Sequence, residues 1–291
     1  MPSDVTPIVI GTDAGRVECA DLGVGEPVLF VHGSPGGWDA GVLLARFLVD
    51  AGFRVIAPSR AGYLGTPLTE ETATVDGQAR LHLTLMDALG IERFSVVGWS
   101  AGGPSSYRLA ALAPDRVRAL VAISAISGGF DLDVSSEGSH ILERRYGTWI
   151  MTEMQRHRDD PFVGAVLAEP ARFDRDQLPT LVEAMWGDED RRDLVLSFAA
   201  IISSRYPELR TDLAQLERLG DLDLPSIAAP VLLLHGSIDA DVLPAHSDRA
   251  QAELADAVRH DIEGGSHISF WTGPGTTAAQ SQVVEFLRSH P

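Results

Sequence analysis

Lysine is absent from this chain of 291 residues, so its 23 basic residues are all arginine. That excludes Schiff-base chemistry on a lysine and the lysine of a phosphate-binding loop. Cysteine is nearly absent too. Cys19 stands alone, which rules out an intrachain disulfide and fits a reducing, cytoplasmic setting. No apolar run approaches the length of a membrane span. The opening MPSDVTPIVIG lacks a basic start and a long apolar stretch, so no cleaved signal is expected. Positive charge is scarce relative to negative, and the net charge of −18 argues against nucleic acid and anionic membrane surfaces as partners. There is no H-E-x-x-H, no paired Cys and His spacing, and no G-x-G-x-x-G, so neither a metal nor a dinucleotide cofactor is expected.

What is present is ordinary globular material with a strong pattern. Short apolar runs alternate with helical stretches, as in a wound sheet. PIVIG and RVECADLG read as an opening pair of strands, followed by strands at 27–33, 53–59, 93–99 and 117–125. Their continuous apolar character suits strands covered on both faces. Helices are expected at 38–52, 74–90 and 101–114, the first two closed by Gly52 and Gly90. From 128 to 224 the chain shows helical stretches and no convincing strand; alternation then resumes, with strands at 230–236 and 257–264 and a closing helix at 276–290. The expected organisation is an α/β core in two parts, 1–127 and 225–291, with a helical insertion at 128–224. An insertion of that length suggests a lid or binding element.

Gly98-Trp99-Ser100-Ala101-Gly102 matches G-x-S-x-G between a strand and a helix. This is the context in which a serine is held on a tight turn with its hydroxyl exposed. Flanking glycines avoid collisions with the adjacent strand and helix, and the helix N-terminus faces the serine oxygen. A serine hydroxyl needs a base. His267, in the Gly-rich GGSH loop before the closing helix, is the best placed. The base needs an acid to fix its tautomer, and Asp239 in HGSIDADV is available, with Asp241 as the alternative. An oxyanion needs two donors already in place: the backbone N–H of Ala101 and, from the HGSPGG loop, that of Ser34. Trp99, Trp149, Met151, Met154, Trp186 and Phe270 are the candidate pocket-lining side chains, with packing in the core or among the inserted helices as the alternative.

Taken together, HGSPGG, GWSAGG, HGSID and GGSH resemble the α/β-hydrolase superfamily over the whole chain. The resemblance implies a mostly parallel eight-stranded sheet flanked by helices with an inserted helical cap. It implies a triad in the order Ser100, Asp239, His267, and the family's spacing after His-Gly favours Asp239 over Asp241. It implies structural roles for His32 and His235. The turn PSRAGYLGTP resembles that of the capped branch but carries Ser59 where Asp is common, a departure expected to matter locally. Ser100 argues against the dehalogenases and epoxide hydrolases of the superfamily, which use an Asp nucleophile. The implied activity is hydrolysis of a small ester, lactone or amide without a cofactor. Alternatives on the same triad are carbon–carbon bond hydrolysis, haloperoxidase-like chemistry and a proline iminopeptidase-like aminopeptidase. A non-catalytic receptor is a further alternative.

Overall fold

The computed structural model describes residues 5–129, 183, 187–239 and 241–291. An eight-stranded sheet runs through it: β1 (Ile8–Thr12), β2 (Gly15–Leu22), β3 (Pro27–Val31), β4 (Arg54–Pro58), β5 (Phe94–Trp99), β6 (Val117–Ile123), β7 (Val231–Gly236) and β8 (Ala257–Ile262). Its spatial order is β1-β2-β4-β3-β5-β6-β7-β8. β1–β2 and β2–β4 pair antiparallel, and every other neighbouring pair is parallel. Each parallel return needs a crossover, which the helices supply.

The helices are α1 (Trp38–Leu44), α2 (Arg46–Asp50), α3 (Val75–Ala88), α4 (Gly103–Leu112), α5 (Glu189–Ser203), α6 (Tyr206–Leu216), α7 (Ala245–Glu253), α8 (Ser269–Thr272) and α9 (Thr276–Ser289). The period of two along each strand divides one apolar run between two cores. Val28 and Phe30 of β3 join a core with Val42, Leu48, Phe198 and Val283 from α1, α2, α5 and α9. Leu29 and Val31, the alternate residues, join Leu81, Leu85, Leu109 and Ala250 from α3, α4 and α7. Burying each large side chain of this kind stabilises the fold by about 1.5–3 kcal/mol.

Two local readings change. The helix expected over 38–52 is two short helices meeting at Ala45, whose ψ of 6° lies off the helical value. The helix expected from Ala101 opens as a single tight turn, Ser100–Gly102, before α4 begins at Gly103 with Pro104 in its first turn. Ser59 has a definite task. Its hydroxyl accepts the Trp38 N–H at 3.0 Å, capping α1 where Gly37 offers no side chain.

The segment between β6 and β7 leaves and rejoins neighbouring strands. The helices expected at RRDLVLSFAAIISSRY and ELRTDLAQLERLG are α5 and α6. The helices expected from SHILERRYGTWIMTEMQRH and DQLPTLVEAMW lie outside the described residues. No helix among the described residues is long and apolar enough to cross a membrane.

Candidate active site

Ser100, Asp239 and His267 each follow the carboxyl end of a strand, where parallel α/β sheets gather their ligands. Ser100 directly follows β5 with φ of +53°, a left-handed conformation that costs a non-glycine residue free energy and persists only where its surroundings enforce it. The surroundings here are tightly packed. A Cβ at Gly102 would lie 2.4 Å from the Val31 carbonyl oxygen, and one at Gly98 would lie 2.4 Å from Ser106 Oγ. The Ser100 carbonyl is tied to the Ile126 N–H at 3.1 Å, anchoring the turn to the segment after β6.

His267 Nε2 lies 2.9 Å from Ser100 Oγ, and its Nδ1 lies 2.7 Å from Asp239 Oδ2. Since a carboxylate only accepts, Nδ1 carries the proton and Nε2 is left to accept the serine proton. Asp239 is fully engaged. Its Oδ1 accepts the N–H groups of Asp241 and Val242 at 2.9 and 3.0 Å, and His235 Nε2 stands 3.4 Å from Oδ2. Burial opposes the Asp239 charge, but His267 and His235 outweigh it and hold the carboxyl well below the usual range. Burial likewise opposes a charged His267, yet Asp239, and further off Asp241, hold its pKa above the ordinary histidine value. Asp241 contributes its backbone to Asp239, while burial pushes its own carboxyl up to about 6.

The loop after β3 reaches the same serine. A Cβ on Gly33 would lie 2.9 Å from Ser100 Cβ, so the Gly33–Ser34 segment passes directly beside the Ser100 turn. Ala101, in the turn that opens toward α4, has a first-turn N–H of the kind that lacks an intrahelical acceptor. The Ser34 hydroxyl is bonded to Tyr63 Oη at 2.9 Å.

Among the apolar candidates, Trp99 is packed beside His267. Its ring centroid is 5.4 Å from that of His267, 5.2 Å from Trp271 and 5.5 Å from Phe198 on α5. Phe270, in α8, is fully buried against Phe47 and Trp271. Trp149, Met151, Met154 and Trp186 lie outside the described residues. Among the described residues no group of three or more His, Cys, Asp and Glu side chains is arranged to hold a metal ion.

Two ion pairs at this end of the sheet carry no sequence signal. Arg60 is paired with Asp212 of α6, and Arg205, between α5 and α6, forks onto Asp39 at 2.8 and 2.6 Å. The partners stand 152 and 166 residues apart. RAGY was visible as a turn, but nothing in its spacing points to α6.

The alpha/beta hydrolase fold family profile matches residues 26–154. A solved alpha/beta hydrolase fold protein from Nakamurella multipartita superposes with a TM-score of 0.88 at 37% identity, over 98% of this chain and 100% of that one. An uncharacterised hydrolase of Bacillus subtilis (strain 168) is 26% identical, with 95% of this chain and 96% of that one covered. A 2-hydroxy-6-oxononadienedioate/2-hydroxy-6-oxononatrienedioate hydrolase of Cupriavidus pinatubonensis is 28% identical, with 94% and 90% covered.

Proposed function

Because this chain belongs to the alpha/beta hydrolase fold family, we propose that it is a serine hydrolase that cleaves a small carboxylic ester, lactone or amide through an acyl-enzyme. The observation that carries this reading is the unbroken line from Ser100 Oγ through His267 to Asp239, at 2.9 and 2.7 Å. Attack requires the serine proton to leave as the C–O bond forms; Nε2 is the acceptor. The tetrahedral oxyanion is met by the N–H groups of Ala101 and Ser34. The imidazolium is stabilised by Asp239 and returns its proton to the leaving group. Water then repeats the sequence on the acyl-enzyme, releasing the acid and restoring Ser100. The described part of the insertion, α5 and α6, reaches this site through Phe198 on Trp99 and Asp212 on Arg60, and an insertion so placed favours a small substrate.

A second reading has an observation of its own. The Cupriavidus pinatubonensis relative is a 2-hydroxy-6-oxononadienedioate/2-hydroxy-6-oxononatrienedioate hydrolase, which would bring a keto group to the serine. The same serine, base and oxyanion donors would then act at a ketone carbonyl with a carbon leaving group.

Intact mass after exposure to a fluorophosphonate, with peptide mapping, tests the shared chemistry. One adduct on Ser100, lost in Ser100→Ala and slowed in His267→Ala, is the expected result. Folded protein that takes up neither this probe nor a smaller one overturns it. Turnover of short-chain esters against vinylogous diketone acids then separates the two substrate classes.

A further inference from the structure

The proposed oxyanion donor, the Ser34 N–H, belongs to the same planar unit as the Gly33 carbonyl. That unit is trans; the cis bond lies one residue on, at Ser34–Pro35. In a trans peptide the N–H and C=O point in opposite directions, so a grip on the carbonyl aims the N–H.

Two donors converge on Gly33 O: His32 Nδ1 at 2.6 Å and Arg60 Nη2 at 3.3 Å. The His32 tautomer follows from its other nitrogen. Nε2 accepts the Arg60 backbone N–H at 3.0 Å, so the ring proton sits on Nδ1 and goes to Gly33 O. Burial, then the neighbouring Arg60 charge, holds the His32 pKa well below its ordinary value, which keeps that single tautomer.

Arg60 is itself fixed from the inserted region. Both of its terminal nitrogens bond the Asp212 carboxylate, Nη1 at 3.1 Å and Nη2 in a closer contact. Tyr63 Oη donates to the same carboxylate at 2.7 Å. The Tyr63 proton is thereby committed, so Tyr63 Oη accepts from Ser34 Oγ. Ser34 is gripped twice, at the preceding carbonyl by Arg60 and His32 and at its hydroxyl by Tyr63. Arg60, Tyr63 and Asp212 are all buried.

We infer that Arg60, locked by Asp212 of α6, is a positioning residue of the oxyanion hole that aims and polarises the Gly33–Ser34 peptide at the developing oxyanion. A carbonyl that accepts from a cation draws electron density away from its own N–H, which strengthens that N–H as a donor. Asp212 lies in the inserted segment, so the hole is complete only when α6 is seated. This inference rests on the reading of Ser100 as the nucleophile of an acyl transfer.

The test is the double variant Arg60→Gln/Asp212→Asn, which removes the cation without leaving a buried charge unpaired. Three quantities are measured on wild type and variant: kcat and KM for a short p-nitrophenyl ester, inhibition by an alkyl boronic acid, and fluorophosphonate labelling. With the boronic acid, Ser100 Oγ adds to trigonal boron, its proton passes to His267, and a hydroxyl of the resulting anion occupies the hole. Losing one hole donor outright lowers kcat by roughly 10²–10³, so a donor misaimed but present should lower it about tenfold. The expected result is that tenfold loss with KM within about twofold, and boronate affinity weakened in step. A merely structural role would not tie kcat to boronate affinity. Should the double variant fail to fold, Arg60→Lys keeps the charge but loses the fork, and a smaller loss with the same coupling is expected. A folded variant with kcat and boronate affinity both within twofold of wild type overturns the clamp while Ser100 still labels. A wild type that neither labels nor turns over ester overturns the serine-hydrolase reading, and the clamp with it.

Discussion

Two buried charge networks flank Ser100, and they differ in what they allow to move. On one side His267 and Asp239 form a titratable pair, with the imidazole free at Nε2 to take and return a proton. On the other, Arg60 and Asp212 form a pair tied by hydrogen bonds to Gly33 O and Tyr63 Oη. The first network suits a charge that appears and disappears during turnover. The second suits a dipole that must already point the right way before the oxyanion forms. On the proposed mechanism, a site built from both would relocate a proton without reorganising the donors that receive the negative charge.

The largest break in this comparison removes the atom that the two sides share. Ser100→Ala should lower kcat by about 10⁴–10⁶-fold while the protein keeps its thermal midpoint, since a methyl in place of a hydroxymethyl leaves the turn intact. Ester turnover alongside a melting curve checks both halves. Asp239→Asn should come next, with a loss of about 10³–10⁴-fold, because the amide no longer enforces the Nδ1–H tautomer. It carries a second readout. In wild type, kcat/KM should rise with pH through an ionisation above the ordinary histidine value, because only the neutral imidazole accepts the serine proton and Asp239 raises its pKa. Without Asp239, burial acts largely unopposed and that inflection should move to lower pH. A pH–rate profile of the variant with the wild-type inflection would show that Asp239 does not set the His267 pKa.

The two networks also differ in how much of them could be read beforehand. Strand runs, helix stops and the four Gly-rich turns gave the sheet, because period and turn chemistry are local. Ser100 and His267 were legible for the same reason, each in a turn whose glycines mark a close approach, whereas only the family's spacing separated Asp239 from Asp241. Asp212 sits in a polar helical stretch where one acid looks like any other, and only the folded chain brings it to Arg60. Ser59 reads as a departure in sequence and becomes the cap of α1 in three dimensions. Phe270, which flanks the GGSH motif, reads equally as core or pocket in sequence, and in the fold it packs on Phe47 and Trp271.

A third break separates anchoring from chemistry. Arg205 bonds Asp39 and the Gly36 carbonyl, with side-chain exposures of 9% and 12% for the pair. Arg205→Met leaves Asp39 nearly buried without its partner and should destabilise the fold by about 3–5 kcal/mol, read from a denaturant midpoint. Adding Asp39→Leu should recover much of that loss, because a packed apolar pair avoids the desolvation of two charges. A double variant no more stable than Arg205→Met would mean that the loss comes from the Gly36 carbonyl or from packing, and not from the stranded carboxylate.

The smallest effect sharpens the same point from the surface. Arg46 and Asp50 on α2 are 2.9 Å apart, about as close as Arg205 and Asp39, but their side chains are 74% and 59% exposed. Water screens that attraction and competes for both groups, and holding two long side chains in one geometry costs entropy. Arg46→Ala should therefore change stability by only about 0.3–0.5 kcal/mol, and less at high salt. The contrast with Arg205→Met should persist at high salt, since a buried carboxylate stranded without its partner is beyond the reach of counterions. If the two substitutions cost the same, charge alone would explain both, and the placing of Arg205 beneath the HGSPGG loop would have no energetic meaning.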